Sequence, residues 1–420
     1  MSELTEPLAP RKRGGLRVLV TIAVVLAVLI GGGTVAALTA PAWAGMSAAE
    51  VLNPNPALRP GMSAPLAKDI HLAGVPKDKA TEVNPGTPIK VSADNGQVRS
   101  VTLVAKDGTE IAGKVSEDQK TWTNTDRLAF NANYTLTSEV IDAAGQTQKK
   151  TSSFATVTTP NEADAWMYPM PDTTVGVGQP IEIRFSEPVE NKAEVLKAFN
   201  VSSTSKQEVR ARWVNDKKVR FRPKDYWAAN STITVDVKLF GVEYGNGMVG
   251  NFDDTWKVKI GERKIAVADA KSKQMTMYVN GKIVKQYPVT MGGKDWPSSN
   301  GVNVIMDQYP KIRFDASTIG LKPGDPQWYD PFDAKNASRL SNNGEFVHEA
   351  LPAAFPVLGK ENISHGCIGM SPEAAKYFID NMTRGDVVDI KNAAGPPISM
   401  EAGMGDWNIP WDKYANTPAE

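Results

Sequence analysis

Three patterns of apolar and polar positions follow one another along the chain. The first is a run from Val18 to Ala40 with no charged residue. At ~1.5 Å rise per residue, a helix of that length crosses a ~30 Å hydrocarbon layer. Residues 1–17 are polar and end in the basic cluster Arg11, Lys12, Arg13 and Arg17. That bias predicts a cytoplasmic N-terminus for 1–17 and a transmembrane signal anchor over 18–40, with the rest outside the cell membrane. Ala42-Trp43-Ala44 also fits a signal-peptidase site, so secretion after cleavage is the alternative. No Cys follows the run closely, which excludes a lipoprotein anchor. Residues 41–80, with Asn53-Pro54-Asn55-Pro56 and Arg59-Pro60-Gly61, read as a stalk.

The second pattern is period two. Ile89 to Ser92, Val101 to Val104 and Tyr134 to Thr137 alternate apolar and polar residues, as half-buried strands do. Asp107-Gly108 and Ala144-Gly145 mark turns between them. Pro88-Ile89-Lys90-Val91 is echoed by Pro180-Ile181-Glu182-Ile183, and Tyr134-Thr135-Leu136-Thr137 by Thr232-Ile233-Thr234-Val235. This weak repeat predicts two immunoglobulin-like β-sandwiches, 81–158 and 159–260, joined at Thr158-Thr159-Pro160. No Cys…Trp…Cys framework accompanies them.

From Gly261 onward strands continue but become mixed with other signals. Gln274 to Val279 and Lys285 to Thr290 flank Asn280-Gly281, a strong hairpin signal. Asp315 to Asn343 holds Gly320, Pro323, Gly324, Pro326 and Pro331 beside Trp328, Tyr329 and Phe332, and predicts a long lid-like loop. Phe346-Val347-His348 reads as a short strand ending on a histidine. Ser371-Pro372-Glu373 opens a helix, with Ala375, Phe378, Ile379 and Met382 as its buried stripe and Gly385 as its stop. The whole is mainly β: two sandwiches, then a β-rich domain over 261–392 with a few short helices. A tail, 393–420, carries Trp407 and Trp411 and is expected to pack back on that last domain.

Composition narrows the picture. Lys+Arg and Asp+Glu are both 47, a balance that argues against nucleic acid as a partner. The chain holds one cysteine and three histidines. The cysteine sits in Ser364-His365-Gly366-Cys367-Ile368-Gly369-Met370, with His348 upstream. A single Cys excludes an intrachain disulfide and leaves a structural thiol, a metal ligand or a nucleophile. Zinc ligation by Cys367, His365 and His348 lacks the usual paired spacing. For acyl transfer the parts are present. The helix that opens near Pro372 could lower the thiol pKa, an imidazole could take its proton, and Gly366 could aim backbone N–H groups at an oxyanion. His348, on a separate strand, is better placed than His365 to reach the sulfur. His365 then shapes the site.

The spacing from His348 to Ser364-His365-Gly366-Cys367 resembles the signature of the L,D-transpeptidases with a YkuD-type catalytic domain. Tyr287-Pro288-Val289-Thr290-Met291-Gly292, Arg384-Gly385-Asp386 and Gly405-Asp406-Trp407-Asn408-Ile409-Pro410-Trp411-Asp412 are similar to the actinobacterial branch, which carries a membrane segment and two immunoglobulin-like domains. The resemblance implies peptidoglycan cross-linking without a cofactor. Cys367 would attack a donor tetrapeptide stem, release D-Ala and form a thioester. A diaminopimelate amine of an acceptor stem would resolve it into a 3→3 link. L,D-carboxypeptidase activity and a non-catalytic wall-binding scaffold are the alternatives. The resemblance also implies His348 as base, and an oxyanion loop of Ser364, His365, Gly366 and Cys367. Tyr329, Phe314 and Gly369 would contact substrate, and carbapenems would acylate the cysteine. Three positions depart from the pattern. Gly369 stands where an Asn or Arg is usual, which bears on donor choice. Glu349 replaces a Ser after the base, where a backbone carbonyl orients the imidazole. Ile319 replaces an aromatic lid residue.

Overall fold

The computed structural model describes residues 71–414. The segments expected as cytoplasmic N-terminus (1–17) and membrane anchor (18–40), most of the stalk (41–70), and the last residues of the tail (415–420) lie outside the described residues. Among the described residues, no helix is long and apolar enough to cross a membrane.

The described stalk residues are not a linker. His71–Val75 is a strand paired antiparallel with Lys90–Asp94, and Leu72 packs on the first core. The stalk expected over 41–80 therefore gives way to a sandwich by His71. The first sandwich pairs two four-stranded sheets. One runs His71–Val75, Lys90–Asp94, Thr121–Asn124, Gly113–Val115, and the other Ala80–Val83, Thr147–Thr156, Asn133–Ile141, Gln97–Ala105. Ile89, Leu103, Leu136 and Val140 are wholly buried between them.

The second sandwich repeats this topology strand for strand. Its sheets run Ala165–Tyr168, Ile181–Phe185, Lys218–Pro223, Val209–Asn215, and Thr174–Val175, Asp253–Ile260, Thr232–Lys238, Phe199–Ser203. In both sandwiches the second sheet begins with a short strand paired parallel to its neighbour. The echoed sequences occupy equivalent strands. Periodic apolar positions such as Ile181, Ile183 and Ile233 supply the core.

A nine-stranded mixed sheet follows. Its order is Gly301–Val304, Val387–Lys391, Lys264–Asp269, Gln274–Val279, Lys282–Thr290, Ile368–Met370, Phe346–Glu349, Phe332–Arg339, Asp307–Phe314. The Asn280-Gly281 turn has φ of 51° and 81° at its two residues, which a tight hairpin requires. The helix Pro372–Asn381 is capped by Ser371, whose side chain accepts from Ala374 N. It buries Ala374, Ala375 and Phe378, whereas the expected Ile379 is only half-buried. The helix stops at Asn381, before Gly385, which turns the chain at φ 86° against the second sandwich.

The expected loop over Asp315–Asn343 is shorter. Phe332–Arg339 is a strand, paired with Asp307–Phe314. Its inward positions are small (Ala334, Ala337), and Asn336 at φ 51° breaks the alternation that would have marked it. The tail does more than pack on the domain before it. It is wedged against the second sandwich as well: Arg210 Nη1 donates to Trp411 O and Arg222 Nη2 to Ile409 O, while Asn408 Nδ2 donates to Val302 O.

Candidate active site

The cysteine segment is held at the middle of the nine-stranded sheet. Ile368–Met370 lies between Lys282–Thr290 and Phe346–Glu349, so that Thr290, Gly369 and His348 form one row across three strands. Gly366, at φ 101°, makes the turn into this strand and needs glycine for it. Ser364 Oγ donates to Cys367 O at 2.5 Å, and Ser298 Oγ donates to Gly366 O at 2.7 Å. Gly292 N in turn donates to Ser298 Oγ. The loop is thus fixed from both sides before any substrate arrives. Glu345, which accepts from Ser299 N and Ser299 Oγ, braces the same loop.

Cys367 is 8% exposed and His348 7%. The His348 Nδ1–H donates to the carbonyl of Glu349 at 2.7 Å, which leaves Nε2 as the proton acceptor. The Glu349 carboxylate takes a bond from Asn336 Nδ2 and does not line the cavity, so the departure at this position leaves the orienting carbonyl intact. The thiol donates to Gly344 O at 3.4 Å.

Burial sets the charges. It lowers the His348 pKa from 6.5 to about 4, against the Glu349 carbonyl, which favours the cation. It raises the Cys367 pKa to about 12, and the nearby Glu345 carboxylate adds to the shift. The expected lowering by the helix dipole is therefore not found. A three-residue strand, Ile368–Met370, separates the sulfur from the helix, and the dipole field fades beyond the first turn. Both groups rest neutral at pH 7.

The remaining expected residues fall into two sets. His365 faces the loop that holds Tyr329. Its Nε2 donates to the lid carbonyl of Gln327 at 2.9 Å, and its ring lies 5.3 Å from Tyr329 and 5.8 Å from Trp296. Phe314 stands 5.1 Å from the His348 ring and 4.9 Å from Phe346. Tyr329, Phe314 and Ile319 line a cavity of about 260 Å³ that is also lined by Cys367 and His348. Burial beside the thiol raises the Tyr329 pKa to about 12, so it is a neutral donor. Gly369 lines the same cavity, together with Thr290 and Ala350. These two, with Leu351 and Ile363 at its rim, were missed from sequence. Thr290 arrives through strand register with Gly369, Ala350 and Leu351 follow the strand that carries His348, and Ile363 directly precedes the motif. Among the described residues no group of three His, Cys, Asp or Glu side chains could hold a metal ion, so Cys367, His365 and His348 do not form a zinc site.

Residues 263–390 match the L,D-transpeptidase catalytic domain family, and residues 80–243, spanning both sandwiches, match a bacterial Ig domain family. The chain is 35% identical over 341 residues to L,D-transpeptidase 2 of Mycobacterium tuberculosis (strain CDC 1551 / Oshkosh), covering 80% of this chain and 82% of the relative. It is 28% identical to L,D-transpeptidase 5 of Mycobacterium tuberculosis (strain ATCC 25618 / H37Rv), covering 82% and 76%. A solved L,D-transpeptidase in complex with imipenem is 26% identical, covers 53% of this chain and 96% of its own, and superposes with a TM-score of 0.48.

Proposed function

The chain belongs to the L,D-transpeptidase family, and from that premise we propose which residues carry the reaction and on which stems. The protein is a peptidoglycan L,D-transpeptidase that works through a cysteine thioester. Cys367 is the nucleophile and His348 the general base. The observation that carries this assignment is their burial in one cavity with the His348 Nδ1 proton committed to a backbone carbonyl, leaving Nε2 to face the reaction. A buried neutral thiol is a poor nucleophile, so proton transfer to Nε2 accompanies the attack of sulfur on the donor carbonyl. The tetrahedral oxyanion is met by backbone N–H groups of the Ser364–Cys367 loop, whose geometry Ser298 and Ser364 fix in advance. His348 then gives its proton to the departing amine of D-Ala. The amine of an acceptor diaminopimelate attacks the thioester and closes a 3→3 link, with Cys367 recovering its proton. A carbapenem, presenting a strained acyl carbon to the same sulfur, acylates Cys367.

The uncharged run Val18–Ala40 behind a basic cluster supports a single-pass anchor, with the enzyme outside the cytoplasmic membrane. The two sandwiches, the first beginning by His71 and the second spanning 159–260, act as spacers between that anchor and the catalytic domain from 261 onward.

The test is incubation of the purified full chain with disaccharide tetrapeptide, followed by mass spectrometry. A cross-linked dimer that has lost one D-Ala is expected. Tripeptide alone would reassign the enzyme as an L,D-carboxypeptidase. Failure of both, with no carbapenem adduct on Cys367, overturns the assignment of the nucleophile.

A further inference from the structure

Two backbone groups act on the sulfur, and both belong to the turn that leads into the His348 strand. The thiol donates to Gly344 O at 3.4 Å, and the Phe346 N–H favours its anion. Glu345 stands between them. Its backbone closes the turn: Glu345 O accepts from Leu340 N and Ser341 N, and Glu345 N donates to Ser341 Oγ. Its side chain reaches the cysteine loop. One oxygen accepts from Ser299 N at 2.8 Å, the other from Ser299 Oγ at 2.9 Å, and a Cβ added to Gly366 would lie 3.5 Å from the carboxylate. The neighbouring Ser298 hydroxyl holds Gly366 O. Ser298-Ser299 thus grips both walls of the sulfur. Ser298 holds the Gly366 turn, and Ser299 holds the Gly344–Phe346 turn through Glu345.

Packing alone does not call for a carboxylate here. Burial disfavours its charge, and only amide and hydroxyl donors of Ser299 and Ser341 oppose that. No cation pairs with it among the described residues. No Lys or Arg lines the cavity either, so the Glu345 charge acts on the sulfur without a counter-ion. A half-buried acid in this position, beside a nucleophile, points to a part in the reaction.

We propose that Glu345 is a positioning residue with two separable effects on Cys367: through Ser299 its carboxylate fixes the Gly344–Phe346 backbone against the sulfur, and its charge restrains the thiol from reacting before a donor stem is bound. The first effect rests on the transpeptidase reading above and concerns kcat. The second holds for any electrophile. A negative charge nearby disfavours the thiolate, which is the form that attacks. With a donor in place that form need not persist, because the proton passes to His348 as sulfur bonds to the acyl carbon, and the thioester sulfur carries no charge.

Glu345→Gln separates the two effects. Its amide oxygen still accepts from Ser299 N and its NH2 can donate to Ser299 Oγ, but the charge is gone. The full-length unmodified chain, Glu345→Gln, Glu345→Ala and Ser299→Ala are compared on disaccharide tetrapeptide, with rates normalised to alkylatable Cys367. Glu345→Ala should lower kcat about 10–100-fold with KM little changed, and Glu345→Gln should recover it to within about threefold of the unmodified chain. Ser299→Ala keeps its N–H and should fall between them. Added to Glu345→Ala it should cost nothing further, because both act through one clamp. Alkylation by iodoacetamide at about pH 9 should be about 3–10-fold faster in Glu345→Gln than in the unmodified chain.

Unchanged kcat in Glu345→Ala, or no recovery in Glu345→Gln, overturns the clamp. If Glu345→Ala does not fold, unchanged kcat in Ser299→Ala overturns it instead. Alkylation no faster in Glu345→Gln overturns the restraint by charge. An unmodified chain that processes no stem overturns the transpeptidase reading and the clamp with it, while the alkylation comparison still decides the effect of the charge.

Discussion

Two parts of this molecule bury polar side chains, and they do so in opposite ways. In the seam where the second sandwich meets the tail, Arg220 is 6% exposed, Glu182 2% and Asp406 not at all. Arg220 Nε donates to Glu182 at 2.6 Å, and its Nη1 donates to Asp406 and to the carbonyls of Met400 and Gly403. Burial alone would favour neutral arginine, but Asp406 and Glu182 hold its pKa above the ordinary value. Glu182, Arg220 and Asp406 each meet an opposite charge there. In the active site Cys367 and His348 are equally buried, yet have one long sulfur contact and one carbonyl between them. They are tolerated because burial keeps both uncharged. The seam is therefore a structure, whereas the site is a reagent whose missing partner is the substrate.

The comparison breaks first at the sulfur. Cys367→Ala should lower cross-linking at least ~10⁴-fold and abolish the carbapenem mass adduct, while the urea midpoint stays close to that of the parent chain. A large drop in stability would mean that the thiol is a packing group.

Arg220→Ala should do the reverse. It leaves Asp406 in the interior without a cation and Glu182 with Arg184 alone, at a cost of about 3–5 kcal/mol. Urea denaturation followed by tryptophan fluorescence should show the loss. Arg220→Met with Glu182→Gln should recover part of it, because fewer buried charges are then left unpaired.

A third group lies between these extremes. Asp386, 1% exposed, accepts from Thr383 N with one oxygen, while the other has no partner. It sits against Gly176, where a Cβ would meet Asp386 N at 2.2 Å. Burial raises its pKa from 3.8 to about 7. A carboxyl raised in the folded state contributes stability below the unfolded pKa and loses it as pH rises through the folded one. Asp386 should therefore contribute a fall in stability on the order of 4 kcal/mol between about pH 4 and pH 7, opposed over much of that range by buried His348, whose contribution rises with pH. Asp386→Asn should remove that contribution, so that Tm rises more steeply with pH over this range than in the parent chain. A curve with the same slope in the variant would place the titration elsewhere.

These contrasts also mark what the chain discloses by itself. The Asn280-Gly281 turn, the Ser371 cap and the Ser364–Cys367 loop are local, and their residues state their own geometry. The duplicated sandwich shows through because equivalent strands keep equivalent alternation. Arg220 and Arg222 were not legible, because on an alternating strand they read as a solvated face. That face is covered by a tail far along the chain, through Met400, Gly403, Asp406 and Ile409. Thr290 and Ala350 were hidden for a similar reason. Thr290 reaches the cavity through register with Gly369, and Ala350 through close packing against Gly369, not through anything in their own neighbourhood. The charge state of the thiol was misread because helix capping is visible in sequence and burial is not.

The acid limb of the reaction sharpens the site half of the comparison. In the proposed mechanism His348 must be neutral to act as base, and burial lowers its pKa to about 4. kcat/KM should thus hold to near pH 5 and fall below it as the imidazole protonates, whereas an ordinary imidazole, with a pKa of ~6.5, would already have lost most of its activity there. The same shift removes stability as pH falls from the unfolded value of 6.5 toward 4, because only the unfolded chain takes up the proton. An inflection near 6.5 would mean that the ring is solvated in the working enzyme.

The smallest expected effect separates the two histidines. His365 donates to Gln327 O and packs on Tyr329, so it latches the lid and does not touch the sulfur's proton. One neutral hydrogen bond contributes about 0.5–1.5 kcal/mol, and His365→Phe should therefore cost only about 2–10-fold, chiefly in KM, through a looser lid. His365→Gln, whose amide can still reach the Gln327 carbonyl, should recover much of that. His348→Gln removes the base, and should cost 10²–10⁴-fold in kcat, a factor typical of general bases. A split of this kind, KM for one histidine and kcat for the other, follows only if the first is held by the lid and the second by Glu349 O. Equal losses in kcat for both would return His365 to the chemistry.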